Sequence, residues 1–159
     1  MNHVVLYQPE IPPNTGNIGR TCVGTNTHLH LIGPLGFSID DKHLKRAGCD
    51  YWPNLNVDYY ENAEEFFEKN QPEHIYYIET FGTESYTDFD YSDDTKDYYF
   101  MFGKESTGIP KELIEAHGGF ERCLLIPQGD KVRSLNLSNT VAIVVYEVLR
   151  QQNFSPLKK

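Results

Sequence analysis

No stretch of this sequence comes near the roughly 18 consecutive apolar residues that a membrane-spanning helix needs. The opening MNHVVLYQPEIPPNTG has neither a basic start nor an apolar run of secretory-signal length. Cysteine is scarce: Cys22, Cys49 and Cys123 form an odd, widely spaced set with no C-x-x-C pair. Free thiols in a reducing cytosol are the expectation. No G-x-x-x-x-G-K-[ST] string and no G-x-G-x-x-G occurs, which disfavours a P-loop nucleotidase and a dinucleotide-binding Rossmann domain. Internal repeats, low-complexity tracts and linkers are missing too. The 159 residues are therefore expected to fold as one cytoplasmic, soluble domain, 1–159, large enough to bury a core without disulfides or metals.

Positive charge is also sparse. Fourteen Lys/Arg against 23 Asp/Glu give a formal net charge of −9, which at first sight argues against a nucleic-acid partner. The excess is local. Residues 58–97 hold 13 Asp/Glu against only Lys69 and Lys96, a balance of −11; the other 119 residues carry 12 basic and 10 acidic side chains, a balance of +2. RNA affinity depends on local basic patches that displace counterions, so the total does not exclude RNA but implies a small, restricted contact surface. The acidic block itself reads as a solvated face.

What is present is a regular alternation of short apolar runs and helical patterns. Residues 3–7 read as a strand, ended by Pro9, Pro12 and Pro13. Asn14 or Thr15 is expected to cap a helix running to about Asn26. A strand over 29–33 follows, then a short helix capped by Asp40 or Asp41 and carrying Lys42, His43, Lys45 and Arg46. A poorly patterned stretch through Trp52 and Pro53 leads to residues 57–60, and Asn62 opens an acidic amphipathic helix with Phe66 and Phe67 inward. Strands over 75–78 and 98–102 bracket a polar loop. Pro110 is placed at the first position of a helix through Ala116. A last strand over 123–126 stops at Pro127. Leu137, Val141, Val144, Val145, Val148 and Leu149 recur at helical spacing and define a long C-terminal helix. Strands alternating with helices predict an open, mostly parallel α/β sheet with helices on both faces. In such sheets ligands bind at the carboxyl ends of the strands, here the loops after Tyr7, Phe102 and Ile126.

Those loops carry the unusual residues. The first is Asn14-Thr15-Gly16-Asn17-Ile18-Gly19-Arg20, where exposed amides at a helix start and Arg20 suit an anion, or simply make a capped helix with a surface Arg. The second is Phe102-Gly103-Lys104-Glu105-Ser106-Thr107-Gly108-Ile109-Pro110; its two glycines allow a backbone to approach a ligand closely, or merely form a turn. The third is Ile126-Pro127-Gln128-Gly129-Asp130-Lys131-Val132-Arg133-Ser134-Leu135-Asn136-Leu137-Ser138-Asn139. There Ser134, Asn136 and Ser138 alternate with Leu135 and Leu137, so a polar set faces a ligand while the leucines anchor in the core, or the polar residues only cap the helix.

Taken together and in this order, the three strings resemble the motifs of the SpoU branch of the SPOUT methyltransferases: N-x-x-x-x-x-R, then F-G-x-E-x-x-G-x-P, then I-P-x-x-x-x-x-x-S-L-N-x-S. Residues 6–17 and 41–51 are further similar to one subfamily, the tRNA (cytidine/uridine-34) 2′-O-methyltransferases. The likeness covers nearly the whole chain. Gln128 stands where relatives often have Met, and Thr107 where some carry Arg.

The resemblance implies a deep C-terminal trefoil knot, which composition and periodicity cannot reveal. It implies S-adenosyl-L-methionine as cofactor, bent in the knot and contacted by Ile78, Gly103, Ile126 and Ser134, with Glu79 and Thr80 nearby. It implies a homodimer joined through apolar residues of the first and last helices, with an active site drawn from both subunits. The catalytic set carried over is Asn14, Arg20, Glu105, Ser134 and Asn136. Guanidinium pKa values stay above about 12, so Arg20 is read as a clamp on the target phosphate rather than a free base. Glu105 is read as orienting Arg20 or serving as base. The implied substrate is the wobble nucleotide in a tRNA anticodon stem-loop, with leucine isoacceptors expected. Lys42, Lys45, Arg46, Lys131 and Arg133 are the candidate phosphate contacts, and Phe37, Tyr51 and Trp52 the candidate stacking residues.

Two alternatives keep the fold: methylation of a ribosomal RNA ribose, or a cofactor-binding module without catalysis. No metal is expected. His28 and His30 face one way on a single strand but have no further spaced ligand in the sequence, and are read as a surface pair.

Overall fold

A computed structural model describes residues 1–39 and 49–157. The basic cluster at Lys42, His43, Lys45 and Arg46 and its expected helix lie outside the described residues. Seven strands form one sheet: β1 (Asn2–Tyr7), β2 (His28–Ile32), β3 (Val57–Tyr60), β4 (His74–Ile78), β5 (Glu84–Ser85), β6 (Tyr98–Phe102) and β7 (Cys123–Leu125). Their spatial order is β3-β2-β1-β6-β4-β7-β5, and every strand pairing is parallel. Among the described residues the helices are α1 (Pro12–Gly24), α2 (Ala63–Asn70), α3 (Lys111–Ala116) and α4 (Leu137–Gln151), with 3₁₀ turns at Trp52–Asn54 and Phe120–Arg122. None is long and apolar enough to cross a membrane, among the described residues.

The parallel sheet follows from the pattern of its strands. Successive side chains point to opposite faces, so a strand covered on both sides reads as a continuous apolar run. Val4, Leu6, Leu29, Leu31, Phe100 and Phe102 face one way, onto Ile18 and Cys22 of α1 and the buried valines of α4. Val5, Ile32, Tyr77, Tyr99 and Met101 face the other, onto Phe66 of α2 and Ile114 of α3. In α4, Val141, Val144, Val145, Val148 and Leu149 are all buried, as their spacing requires.

Several local expectations need correction. Pro12 and Pro13 do not precede α1 but are its first turn, behind Ile11, where their missing N–H groups cost nothing. Asn14 therefore sits inside the helix and its side chain is free for other partners. Pro110 is the N-cap of α3 rather than its first residue, with extended ψ of 134°. The two-residue strand β5 was not foreseen. The acidic block is not wholly a solvated face either, because Tyr91 is buried against Tyr76 and Phe100. Its backbone is tied to α4: Tyr91 N–H donates to Gln151 Oε1 at 2.7 Å, and Gln152 Nε2 donates to the Tyr91 carbonyl at 3.0 Å.

The histidine pair is corrected as well. His30 is fully buried, and His3, across from His28 in the β1–β2 register, joins it on the same face of the sheet. Burial lowers the His3 pKa to about 4 and the His30 pKa to about 2, so both rings are neutral at pH 7.

Candidate active site

The chain runs from the central β1 outward to β3, then crosses to the other half of the sheet, and β6 returns to lie beside β1. The loops leaving β1, β6, β4 and β7 therefore converge at one end, the switch point where α/β sheets bind ligands. A cavity of about 420 Å³ opens there. Ile78 to Phe81 line it from the end of β4, Gly103 to Glu105 with Thr107 and Gly108 from the loop after β6, and Ile126, Gln128 and residues 133–136 from the segment after β7. Ile11 and Asn14 close it from α1, and Leu137 and Thr140 from α4.

Two glycines shape its floor. A Cβ on Gly103 would lie 2.4 Å from the Ile109 nitrogen and 2.5 Å from the Gly108 carbonyl carbon. Gly108 has φ +74°, and a Cβ there would meet Glu79 Oε1 at 2.4 Å. The loop thus folds back on itself, with Gly108 N–H donating to the Lys104 carbonyl at 2.9 Å. Side chains here would fill the cradle and strain the turn. Beneath it the Glu79 carboxylate accepts the Ile109 N–H; burial raises its pKa, and hydrogen bonds from the Ile109 and Thr80 amides oppose that rise. A cradle whose walls are main-chain groups, Ile78, Ile126 and the half-buried Glu79 carboxylate fits a cofactor held largely by the protein backbone.

At the mouth, three distant segments are joined by side-chain hydrogen bonds. Glu105 accepts from the backbone N–H groups of Glu10 at 3.0 Å and Ile11 at 3.3 Å, and from Asn14 Nδ2 at 3.4 Å. Asn136 Nδ2 donates to Asn14 Oδ1 at 3.1 Å, while Asn136 Oδ1 caps α4 by accepting from Ser138 N–H at 2.9 Å and Asn139 N–H at 3.3 Å. The second loop is further held by Glu10, whose Oε1 accepts from Ser106 N–H and Oγ at 3.0 and 2.7 Å; those bonds depress its pKa. Arg133 Nη2 donates to the Ser106 carbonyl at 2.7 Å, linking the second and third loops.

Of the residues singled out from sequence, Asn14, Ile78, Gly103, Glu105, Ile126, Ser134 and Asn136 all line this cavity. Arg20 does not. It is exposed, with its guanidinium carbon 5.9 Å from the Tyr51 ring centroid. Six residues along a helix advance about 9 Å and rotate about 240°, so Arg20 faces away from the side of α1 that carries Asn14. The reading that Glu105 orients Arg20 is overturned within this chain, because the carboxylate is occupied by the 10–11 backbone and Asn14. Leu135 also departs from expectation: it is exposed at the cavity rim rather than anchored in the core. The residues that sequence reading left without a role are Glu10, Phe81 and Thr140. Glu10 lies in the quoted Leu6–Asn17 string, but nothing along the chain ties it to Ser106.

Residues 1–146 match the SpoU rRNA Methylase family. A Listeria monocytogenes (serotype 4b, strain F2365) protein with the provisional name tRNA (cytidine(34)-2′-O)-methyltransferase is 63% identical over 98% of this chain and 91% of its own length. The tRNA (cytidine(34)-2′-O)-methyltransferase of Escherichia coli K12 is 42% identical over 97% of this chain and 96% of its own. A solved structure described as giving structural insights into the 2-OH methylation of C/U34 on tRNA superposes with a TM-score of 0.84 at 38% identity, covering 96% of this chain and 97% of that one. With the family model matched over residues 1–146 and relatives 63% and 42% identical over nearly the whole chain, the chain belongs to the SpoU rRNA Methylase family.

Proposed function

We propose that this protein transfers a methyl group from S-adenosyl-L-methionine to the ribose 2′-hydroxyl of the wobble nucleotide, cytidine or uridine 34, of tRNA. The observation that carries the reading is the Glu105–Asn14–Asn136 connection, which sets polar groups from all three motifs at the mouth of a glycine-floored cavity. The names of the relatives supply the substrate class.

When bound, the cofactor supplies a methyl group already activated by a sulfonium leaving group, so positioning and removal of one proton are the main demands on the protein. Backbone groups at Ile78, Gly103 and Ile126, with Ser134 at the rim, are the residues that would hold it. Asn14 and Asn136 fix each other and orient the ribose. Glu105, whose oxygens accept three N–H groups, holds the β1–α1 turn against the second loop rather than taking the proton. Arg20 clamps the target phosphate, which helps to relay the hydroxyl proton. Since Arg20 turns away from its own cavity, the site is completed by Arg20 from a second copy, and the active form is a homodimer. The interface differs from the simplest expectation. Most apolar residues of α1 and α4 are spent on the chain's own core, leaving Ile11, Val132, Leu135 and Tyr146 exposed to join two copies. The expected trefoil knot belongs to the same proposal; the bond from Arg133 to the 103–108 loop, just before α4 returns to α1, supports it.

The test is methyl transfer from labelled S-adenosyl-L-methionine to total RNA from cells lacking the enzyme, mapped by nuclease digestion and mass spectrometry. Label on a 2′-O-methylated nucleotide 34 is expected. Label in ribosomal RNA alone would keep the chemistry and overturn the substrate, and no transfer despite cofactor binding would overturn the enzyme.

A further inference from the structure

We propose that His3, His28 and His30 bind one divalent transition-metal ion, zinc being the best fit, at the amino-terminal ends of β1 and β2. This site is separate from the cavity at the carboxyl ends of the strands and independent of methyl transfer.

The geometry is that of a three-histidine site slightly collapsed. One ring nitrogen from each histidine lies within 4.8 Å of those of the other two. Four-coordinate zinc, with Zn–N distances of about 2.0–2.1 Å, sets ligand nitrogens roughly 3.3 Å apart and imidazole centroids roughly 5 Å apart. Here the centroids are 5.3 Å apart for His3–His28, 5.1 Å for His3–His30 and 4.1 Å for His28–His30. Nδ1 of His3 and Nε2 of His30 are 2.9 Å apart, sharing a proton where an ion would sit. Two of the three ring pairs already have the spacing; His28 and His30 are stacked at 16° and must open by about 1 Å and turn before their in-plane lone pairs meet at one ion. His28 is the partly exposed member of the set, so it is the ring free to swing.

The outer nitrogens are the second observation. His3 Nε2 meets Asp97 Oδ1 at 3.0 Å, His28 Nε2 meets Asp58 Oδ2 at 2.7 Å, and His30 Nδ1 meets the Tyr60 hydroxyl at 2.9 Å. Nδ1 of His3, Nδ1 of His28 and Nε2 of His30 are left for one ligand. Carboxylates behind the far nitrogen are what orient metal-bound imidazoles. Asp58 and Asp97 also bring two negative charges to match a dication. Water on the His28 side completes the coordination.

The test uses the untagged, full-length chain stripped with chelator, titrated with Zn²⁺ by calorimetry and with Co²⁺ by visible absorption. One ion per chain, a tetrahedral Co²⁺ spectrum and a raised melting temperature are expected. Asp58→Asn should weaken binding about 10–100-fold. His28→Gln should abolish it, with the circular dichroism of both variants unchanged because both positions lie at the rim. Absence of binding, or binding unaffected by His28→Gln, would overturn the site and leave the histidines as a hydrogen-bonded relay alone. Methyl transfer is scored separately, so failure here leaves the proposed function untouched.

Discussion

The two ends of the sheet handle polar groups in opposite ways. At the carboxyl end, Glu105, Asn14 and Asn136 are bonded to one another but face a cavity, and their loops are exposed. Toward the amino end, His3, His30 and the Tyr60 hydroxyl reaching in from the end of β3 form an equally continuous chain, buried between strands and α2 and open only at His28 and Asp97. Both solve the same problem, since a buried polar group without a partner costs about 1–3 kcal/mol. The buried network serves stability, and the open one keeps spare hydrogen-bonding capacity for a substrate. Substitutions at the two ends should therefore move different observables.

The largest effect is expected at the open end. Arg20→Ala should lower the transfer rate on the order of 10²–10³-fold, as loss of a transition-state contact does, while calorimetry shows nearly unchanged cofactor affinity. Lost cofactor binding would remove Arg20 from the phosphate role. A sharper form mixes Arg20→Ala with Asn136→Ala chains: random re-pairing of a shared-site homodimer restores about a quarter of the wild-type rate. No recovery would place both residues in one subunit's site.

Next is Gly103→Ala, where the added methyl meets backbone and cannot be relieved by a side chain. It should cost about 1–3 kcal/mol in urea denaturation and weaken cofactor binding at least about tenfold. At the buried end, His30→Ala strands His3 Nδ1, leaves the Tyr60 hydroxyl with Asn70 Nδ2 as its remaining partner and opens a hole against Phe66. A loss of about 2–4 kcal/mol is expected in denaturant melts, with transfer unchanged well below the melting temperature. A rate loss at that temperature would break the separation of the two ends. The smallest effect is Asn62→Ala, which removes the cap on α2, where Asn62 Oδ1 accepts from Glu65 N–H at 2.9 Å. About 1 kcal/mol of stability and no activity should be lost.

Much of this was legible in the sequence wherever periodicity or a motif carried the information. The valine spacing of α4, the apolar runs of β4 and β6 and the cap at Asn62 all act within a few residues, and so they read correctly. The prolines of α1 misled because Pro breaks a helix interior but suits a first turn, and the sequence alone does not say where the turn begins. Leu135 was assigned to the core by its alternation with polar neighbours, but the segment after β7 is irregular, so no period-two rule applies. Arg20 shared a motif with Asn14 yet lies on another face of the same helix. The third histidine was missed for a different reason: His3 and His28 are 25 residues apart along the chain, and only the β1–β2 register makes them neighbours.

The hydrogen bond between Asn14 and Asn136 spans 122 residues of chain. Closing so long a loop is slow compared with forming either helix. A chain emerging from the ribosome can therefore assemble β1, α1 and most of the sheet with no substrate-binding mouth at all. Competence arrives in one step, when α4 docks and its cap residue meets α1. Partly made chains therefore lack the joined asparagines, and any ligand that bridges the two favours the docked state by mass action.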